Sequence, residues 1–261
     1  MKIALIGYGR MGRMVEELAR ESGHEIVSTI DVDNREDMDS PAFLGADVAI
    51  EFTTPQTAWP NCLGAMQRGV KVVCGTTGWF NQERRDEAAL LCKAAGGTLL
   101  CSPNFSIGVA VTRLVSNRLS ELMNRLPQYE PLMIETHHAQ KRDHPSGTAI
   151  QLAEDLVGRV SRMEGWHEQL DKPSSHGLYL QPCILDILSD HNLRILYRRE
   201  GDAAGEHSIM WQSDDDRITL THHAYSRRGF ARGALLAAEY ASKHQGLLSM
   251  DDVLEDLFQT K

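Results

Sequence analysis

Lys2-Ile3-Ala4-Leu5-Ile6-Gly7-Tyr8-Gly9-Arg10-Met11-Gly12 is the stretch that decides the fold. Lys2 to Ile6 is a short apolar run of the kind a buried parallel strand needs. After the glycines, Met14, Val15, Leu18 and Ala19 recur at helical spacing. A G-x-G-x-x-G turn between strand and helix has a specific physical use. Gly7 permits the tight turn, Gly9 lets the backbone approach a pyrophosphate, and Gly12 allows close packing of helix on strand. A second strand, Glu25 to Ile30, runs into Asp31, about 20 residues past the glycines, where an acid accepts hydrogen bonds from a ribose 2′-hydroxyl. Asp33 is the rival for that role. A carboxylate there favours NAD over NADP, and Arg35 is close enough in sequence to soften the preference.

Outward from this start, strand and helix signals alternate to about residue 108. Strands are expected at Ala46–Ile50, Val70–Cys74 and Thr98–Cys101, and helices at 56–68 and 81–95. Alternation of this kind implies a parallel sheet with helices on both faces. Ligands in such sheets bind beyond the carboxyl ends of the strands. The loops Glu51–Pro55, Gly75–Gly78 and Ser102–Phe105 all fall there. Thr76, Thr77 and Asn104 can line a nicotinamide ring.

Beyond residue 108 the pattern changes. A helix is expected at Val109–Met123 and a strand at Pro131–Glu135, while 165–183 reads as loop. Strand-like runs follow at Ile184–Leu188, Leu193–Arg198, His207–Gln212 and Arg217–His223. Successive strands with short turns imply an antiparallel or mixed sheet, hence an α+β second domain. Asp214-Asp215-Asp216 reads as a solvated hairpin turn, since it lacks calcium-loop spacing. An Ala-rich helix at Phe230–His244, with Gly246 as its C-cap, is expected to return to the first domain.

The richest chemistry lies in Glu135-Thr-His137-His138-Ala-Gln-Lys141-Arg142-Asp143-His144-Pro145-Ser146-Gly147-Thr148-Ala149. Ala149, Leu152, Ala153, Leu156, Val157 and Val160 then mark a helix. Ser146-Gly147-Thr148 therefore sits at a helix N-terminus, where unpaired backbone N–H groups favour an anion. His and Lys just before it add donors and positive charge. The segment reads as a small pocket for a carboxylate with acids beside it, with Ser146 or Thr148 as N-cap.

Composition agrees. The chain has 261 residues, a 42% apolar and 24% charged make-up and a net charge of −9. That is a globular chain long enough for one large or two modest domains. The acidic balance argues against a nucleic-acid-binding face. Five cysteines form no C-x-x-C pair, so buried thiols in a reducing cytoplasm are expected. The first residues are strand and glycine loop, so no signal peptide is expected, and no run is long enough to span a membrane.

With these motifs assembled, the chain resembles the 4-hydroxy-tetrahydrodipicolinate reductase (dihydrodipicolinate reductase) family over nearly its whole length. The resemblance is carried by the glycine loop with Arg10-Met11-Gly12, Glu51-Phe52-Thr53-x-Pro55, Gly75-Thr76-Thr77-Gly78 and Ser102-Pro103-Asn104-Phe105-Ser106-Ile107-Gly108-Val109. It continues through the 135–149 segment, Gly205-Glu206-His207 and Ser226-Arg227-x-x-Phe230-Ala231-x-Gly233-Ala234.

The resemblance implies a two-domain α/β protein. A Rossmann-type dinucleotide-binding domain comes from residues 1–106 and 227–261, and a central α+β domain at 107–226 binds substrate and forms a homotetramer. It implies an NAD(P)H-dependent oxidoreductase of diaminopimelate and lysine biosynthesis that uses NADH or NADPH and no metal. Gly7, Tyr8, Gly9, Arg10, Met11, Gly12, Asp31, Gly75, Thr76, Thr77, Ser102, Pro103, Asn104 and Phe105 would bind the cofactor. His137 and Lys141 would be the acid or acid/base groups. His138, Ser146, Gly147 and Thr148, with Lys141, would hold a dicarboxylate substrate. Three departures stand out: the glycine loop is the short form, Ser102 replaces the usual Ala, and His144 stands where a small residue is usual.

Other readings make distinct demands. Another two-domain amino- or hydroxy-acid dehydrogenase would leave the contiguous His-His-x-x-Lys unexplained. A non-catalytic dinucleotide sensor could dispense with His137 and Lys141. A metal enzyme using His137, His138 and His144 suffers because adjacent strand residues point to opposite faces.

Overall fold

The computed structural model describes residues 1–171 and 191–258. The chain divides into two compact units, Met1–Ala110 with Arg227–Lys261, and Val111–Ser226.

The first unit is built on a parallel sheet of six strands: β1 (Lys2–Ile6), β2 (Glu25–Ile30), β3 (Val48–Glu51), β4 (Lys71–Cys74), β5 (Thr98–Cys101) and β11 (Gly246–Leu248). Their order is β11-β5-β4-β3-β1-β2, so the chain reverses direction of travel at β1. Every pairing is parallel. Helices α1 (Arg10–Glu21), α2 (Pro41–Leu44), α3 (Pro55–Gln67) and α4 (Gln82–Ala95) connect the strands. The four inner strands β1, β3, β4 and β5 are buried on both faces, which is why they read as short apolar runs, whereas the edge strands β2 and β11 are only half-buried. One core cluster joins Ile3, Leu5, Val48, Ile50, Val73 and Leu100 to alanines of the Arg228–Lys243 helix; the other joins Ala4, Ile6, Ala49, Val72 and Leu99 to Phe43, Trp59 and Met66.

α5 (Ile107–Met123) leads into the second unit. There β6 (Glu130–His137), β7 (Gly165–Leu170), β8 (Asn192–Arg199), β9 (Glu206–Gln212) and β10 (Arg217–His223) form a mixed sheet of order β10-β9-β6-β8-β7. β9 runs antiparallel to β6 and β10, while β8 runs parallel to β6 and β7. α6 (Gly147–Val157) covers this sheet, with Leu152, Ala153 and Leu156 packed on Met133, Ile195 and Trp211. The last helices, α7 (Arg228–Lys243) and α8 (Met250–Phe258), belong to the first unit.

Both expected sheets are present. Two local expectations need correction, and one helix was not foreseen. Residues 165–170 are strand β7, not loop, because Gly165–Leu170 pairs in register with Asn192–Tyr197. Gly246 does not cap α7; the cap is His244, and Gly246, at φ 109°, opens the edge strand β11 against Thr98. α8 carries no expectation from sequence and buries Met250, Val253 and Leu254. The expected run Ile184–Leu188 and Cys183 lie outside the described residues. Asp214–Asp216 does form the β9–β10 turn, with the Ser213 N–H donating to the Asp216 carbonyl at 2.9 Å.

Candidate functional site

In the first unit, the glycine loop is shaped as the residues predict. Gly7 sits at φ 92°, and a Cβ there would lie 2.2 Å from the Phe52 carbonyl oxygen. A Cβ on Gly12 would lie 2.2 Å from the Gly7 carbonyl oxygen, so helix and turn touch through glycine alone. Gly9 is different: nothing lies within 4 Å of its Cβ position. It is the N-cap of α1 and brings no side-chain hydrogen bond to the first-turn N–H groups. Those donors therefore face open space, the arrangement that suits a phosphate.

A cleft of about 380 Å³ opens there, lined by Gly9, Arg10, Met11, Phe52, Thr53, Pro55, Gly75, Thr76 and Thr77. The walls are interlocked: the Thr53 N–H donates to Thr76 Oγ1 at 2.7 Å, and Trp79 Nε1 donates to the Thr76 carbonyl at 2.8 Å. Gly75 is required because a Cβ would fall 2.0 Å from the Phe52 ring.

Of the expected cofactor residues, Gly9, Arg10, Met11, Gly75, Thr76 and Thr77 line the cleft. Gly7 and Gly12 shape its floor. Tyr8, Asp31 and the Ser102–Phe105 loop are not among the lining residues. Tyr8 donates its hydroxyl to Glu16. Asp31, at the end of β2, accepts from the Val32 N–H at 2.9 Å. Ser102 Oγ donates to the Asn104 carbonyl at 2.7 Å. Phe105 is a core residue under α7, where a Cβ on Gly233 would meet the Phe105 carbonyl at 1.7 Å. Phe52, Thr53 and Pro55 line the cleft without having been singled out as site residues; the Glu-Phe-Thr-x-Pro run after a strand is the signal that could have found them.

In the second unit, period-two alternation along β6 puts Glu135 and His137 on one face. Antiparallel pairing sets His207 of β9 opposite Glu135. All three are buried, and their ligand atoms lie within 4.8 Å of one another. Ser146, the N-cap of α6, joins them. Its backbone N–H donates to Glu135 Oε2 at 3.0 Å, and its hydroxyl meets His207 Nε2 at 3.1 Å and receives the Ala149 N–H. Arg199, at the end of β8, donates to Glu135 Oε1 at 3.0 Å.

The electrostatics follow. Burial would raise the Glu135 carboxyl, but Ser146 and Arg199 hold it below the usual carboxylate range. Burial pushes the His137 imidazole down to about 4, with Lys141 and Arg199 adding to the effect and Glu135 opposing it. Burial, and His137 beside it, push His207 down to about 3. Both rings are neutral at physiological pH and can accept a proton or a hydrogen bond. A cation is already seated on Glu135, so the three groups read as a hydrogen-bonded network rather than a metal cage.

His137 Nδ1 stands 3.5 Å from Glu135 Oε2 and has no other partner among the described residues. Its Nε2 edge faces Gly205, where a Cβ would approach to 3.2 Å. Lys141 lies on the loop after β6, its ammonium on both Asp143 oxygens at 2.8 and 2.7 Å. Arg199 also binds the carbonyls of Lys141 and Asp143, so the arginine that neutralises Glu135 also holds the lysine loop. His138 is half-buried, with its Nδ1 unpartnered among the described residues. Gly147 and Thr148 form the exposed and half-exposed first turn of α6. His144 turns to the surface, stacked on Tyr197 at 4.3 Å and paired with Glu168 at 2.8 Å. Glu135, Arg199 and His207 were not singled out from sequence as site residues. Alternation could have found Glu135; the other two reach the site only through strand pairing.

The chain matches two family models, dihydrodipicolinate reductase N-terminus over residues 1–105 and dihydrodipicolinate reductase C-terminus over 108–254. It is 38% identical over 259 residues to a 4-hydroxy-tetrahydrodipicolinate reductase of Christiangramia forsetii, covering 99% of this chain and 100% of that one. It is 34% identical over 274 residues to the enzyme of that name from Archaeoglobus fulgidus, covering 98% and 100%. Its fold is similar to that of a dipicolinate-bound dihydrodipicolinate reductase from Paenisporosarcina sp. TG-14, with a TM-score of 0.74, 20% identity, and 95% and 97% of the two chains covered. By full-length sequence match and by fold, the chain belongs to the dihydrodipicolinate reductase family.

Proposed function

We propose that the chain reduces 4-hydroxy-tetrahydrodipicolinate to tetrahydrodipicolinate with NADH or NADPH, a step of diaminopimelate and lysine biosynthesis. The observation that carries this reading is the end-to-end match to reductases of that name, which spans both the glycine-loop cleft and the His137–Lys141 segment.

The cleft fits a dinucleotide, since the uncapped first turn of α1 and the open space at Gly9 offer a pyrophosphate both donors and room. The bound dinucleotide supplies the hydride. Gly9, Arg10, Met11, Gly75, Thr76 and Thr77 form its pyrophosphate and nicotinamide walls over the floor that Gly7 and Gly12 shape, Tyr8 completes the glycine loop, and Asp31 accepts from the ribose. Ser102, Pro103, Asn104 and Phe105 contribute backbone at the end of β5.

The overall reaction takes up a hydride and a proton and releases water. Hydride addition to a ring conjugated with C=N leaves negative charge on the conjugated system, and a positioned acid lowers that barrier by about 10²–10⁴-fold. Lys141 is the cation available to meet that charge and donate. A substrate carboxylate competes with Asp143 for the same ammonium. His137, neutral because it is buried, accepts or relays the proton, with Glu135 stabilising the imidazolium that forms. His138 and the Ser146–Gly147–Thr148 helix start receive the two carboxylates.

A homotetramer and a cytoplasmic location belong to the same reading. Val111, Leu114, Val115 and Leu122 are exposed along α5, and Cys62, Cys74, Cys92 and Cys101 are free thiols. No helix among the described residues is long and apolar enough to cross a membrane.

The test is oxidation of NADH and of NADPH by the purified protein, with substrate generated in situ from pyruvate and aspartate semialdehyde by the preceding enzyme. Oxidation that requires both precursors is the expected result. Dinucleotide binding without oxidation would refute the assigned substrate. Sedimentation of the purified protein tests the tetramer.

A further inference from the structure

Glu51 ends β3 and is fully buried. Among the described residues its hydrogen-bond partners are hydroxyls, an amide and a thiol, none of them a cation. The Thr53 hydroxyl donates to Oε1, Asn61 Nδ2 reaches the same oxygen at 3.4 Å, and Cys74 Sγ donates to Oε2 at 3.0 Å. Strand pairing sets Glu51 directly beside Cys74. Both arms of this arrangement end in the cleft. Thr53 is a lining residue, and Cys74 leads straight into the lining residues Gly75, Thr76 and Thr77. Thr53 and Thr76 are themselves joined, N–H to hydroxyl, at 2.7 Å.

We propose that Glu51 is a positioning residue of the dinucleotide site, a buried carboxyl that ties the loop after β3 to the loop after β4 in the shape that receives the cofactor. The inference rests on the reading of the cleft as the cofactor site. A buried carboxylate with no cation beside it is costly, so the group keeps its proton. Burial pushes it up to about 8, with Cys74 adding to the rise and the Thr53 and Thr76 hydroxyls opposing it. Burial would raise the thiol beside it, Cys74, but bonds to Cys101, Cys62 and Glu51 hold that thiol below the usual range. The other titratable groups facing it are Cys62 on α3 and Cys101 on β5, and Arg85 on α4 acts on Cys101. Above that pH the carboxyl ionises, its hydroxyl, amide and thiol partners must rearrange or admit water, and the two loops lose their tie. Cofactor affinity should then fall with rising pH through a group that never touches the cofactor.

The experiment is a fluorescence titration of NADH into the full-length protein at about pH 7 and about pH 9.5, for wild type, Glu51→Gln and Gly9→Val. If binding requires the protonated form, wild-type Kd rises by up to about 30-fold between the two pH values, the factor by which a group titrating near 8 has lost its proton. Glu51→Gln keeps a neutral, hydrogen-bonding side chain of the same shape. It should bind as wild type does at the lower pH and lose most of the pH dependence. An equal pH dependence in both proteins overturns the proposal. Gly9→Val tests the underlying reading separately. Its first added carbon meets open space in the fold, so the protein should keep its thermal midpoint and bind no NADH. Normal binding by Gly9→Val would overturn both the cofactor site and the role of Glu51.

Discussion

Acid should unfold the central unit through two buried histidines, and His207→Gln should remove half of that sensitivity. His137 and His207 are held neutral in the folded state, at about 4 and about 3, whereas an exposed histidine titrates at about 6.5. Both folded-state values are lowered, so the unfolded chain binds the extra protons. The stability they protect is complete above about pH 6.5 and is lost as pH falls toward the folded values. Between about pH 7 and about pH 5, where both rings stay neutral in the folded protein, each costs roughly 2 kcal/mol, so the pair costs roughly 4 kcal/mol. This figure does not depend on how far below 5 each ring finally titrates. Glutamine can keep the hydrogen bond to the Ser146 hydroxyl and does not titrate. The assay is urea unfolding followed by circular dichroism, for wild type and His207→Gln at both pH values. The difference between the two pH-induced losses cancels the titrating groups that do not interact with His207 and should be about 2 kcal/mol. Equal acid losses in the two proteins, within about 0.5 kcal/mol, would refute the claim that His207 is buried neutral.

Three further outcomes follow from the geometry. Lys141→Ala should lower kcat by about 10²–10⁴-fold and leave the NADH Kd near wild type, measured by steady-state kinetics and fluorescence titration; an equal loss of cofactor binding contradicts the role. Gly205→Ala places a Cβ 3.2 Å from His137 Nε2 at a φ of +145°, so kcat should fall at least about tenfold with NADH Kd unchanged, and wild-type kcat would show that the ring position is irrelevant. Gly233→Ala drives a Cβ to 1.7 Å from the Phe105 carbonyl, backbone against backbone, and should cost more than about 3 kcal/mol in urea unfolding; a shift under about 1 kcal/mol would show that α7 moves freely off the β5 loop.

The chain order of strand, glycine turn and helix was legible because it is local. An apolar run, three glycines and a helical stripe lie within the first twenty-one residues, and each reports its conformation through neighbours in sequence. The same holds for the Ser146 cap, where a side-chain oxygen answers an N–H three residues on. Alternation along β6 was enough to separate His137 from His138. Tertiary structure alone decided what surrounds His137. Glu135 meets His207 because β9 pairs antiparallel with β6, and meets Arg199 because β8 pairs parallel on the other side. Those partners are 72 and 64 residues away in sequence, and strand order leaves no periodic trace in any one strand. The same reason hid the role of Gly246 in an edge strand. It also hid the place of Glu51, whose burial is set by β4 and α3 rather than by its own neighbours. Local periodicity shows which face of an element is buried; only the packed sheet decides which charges share that burial, and therefore which protons the site holds.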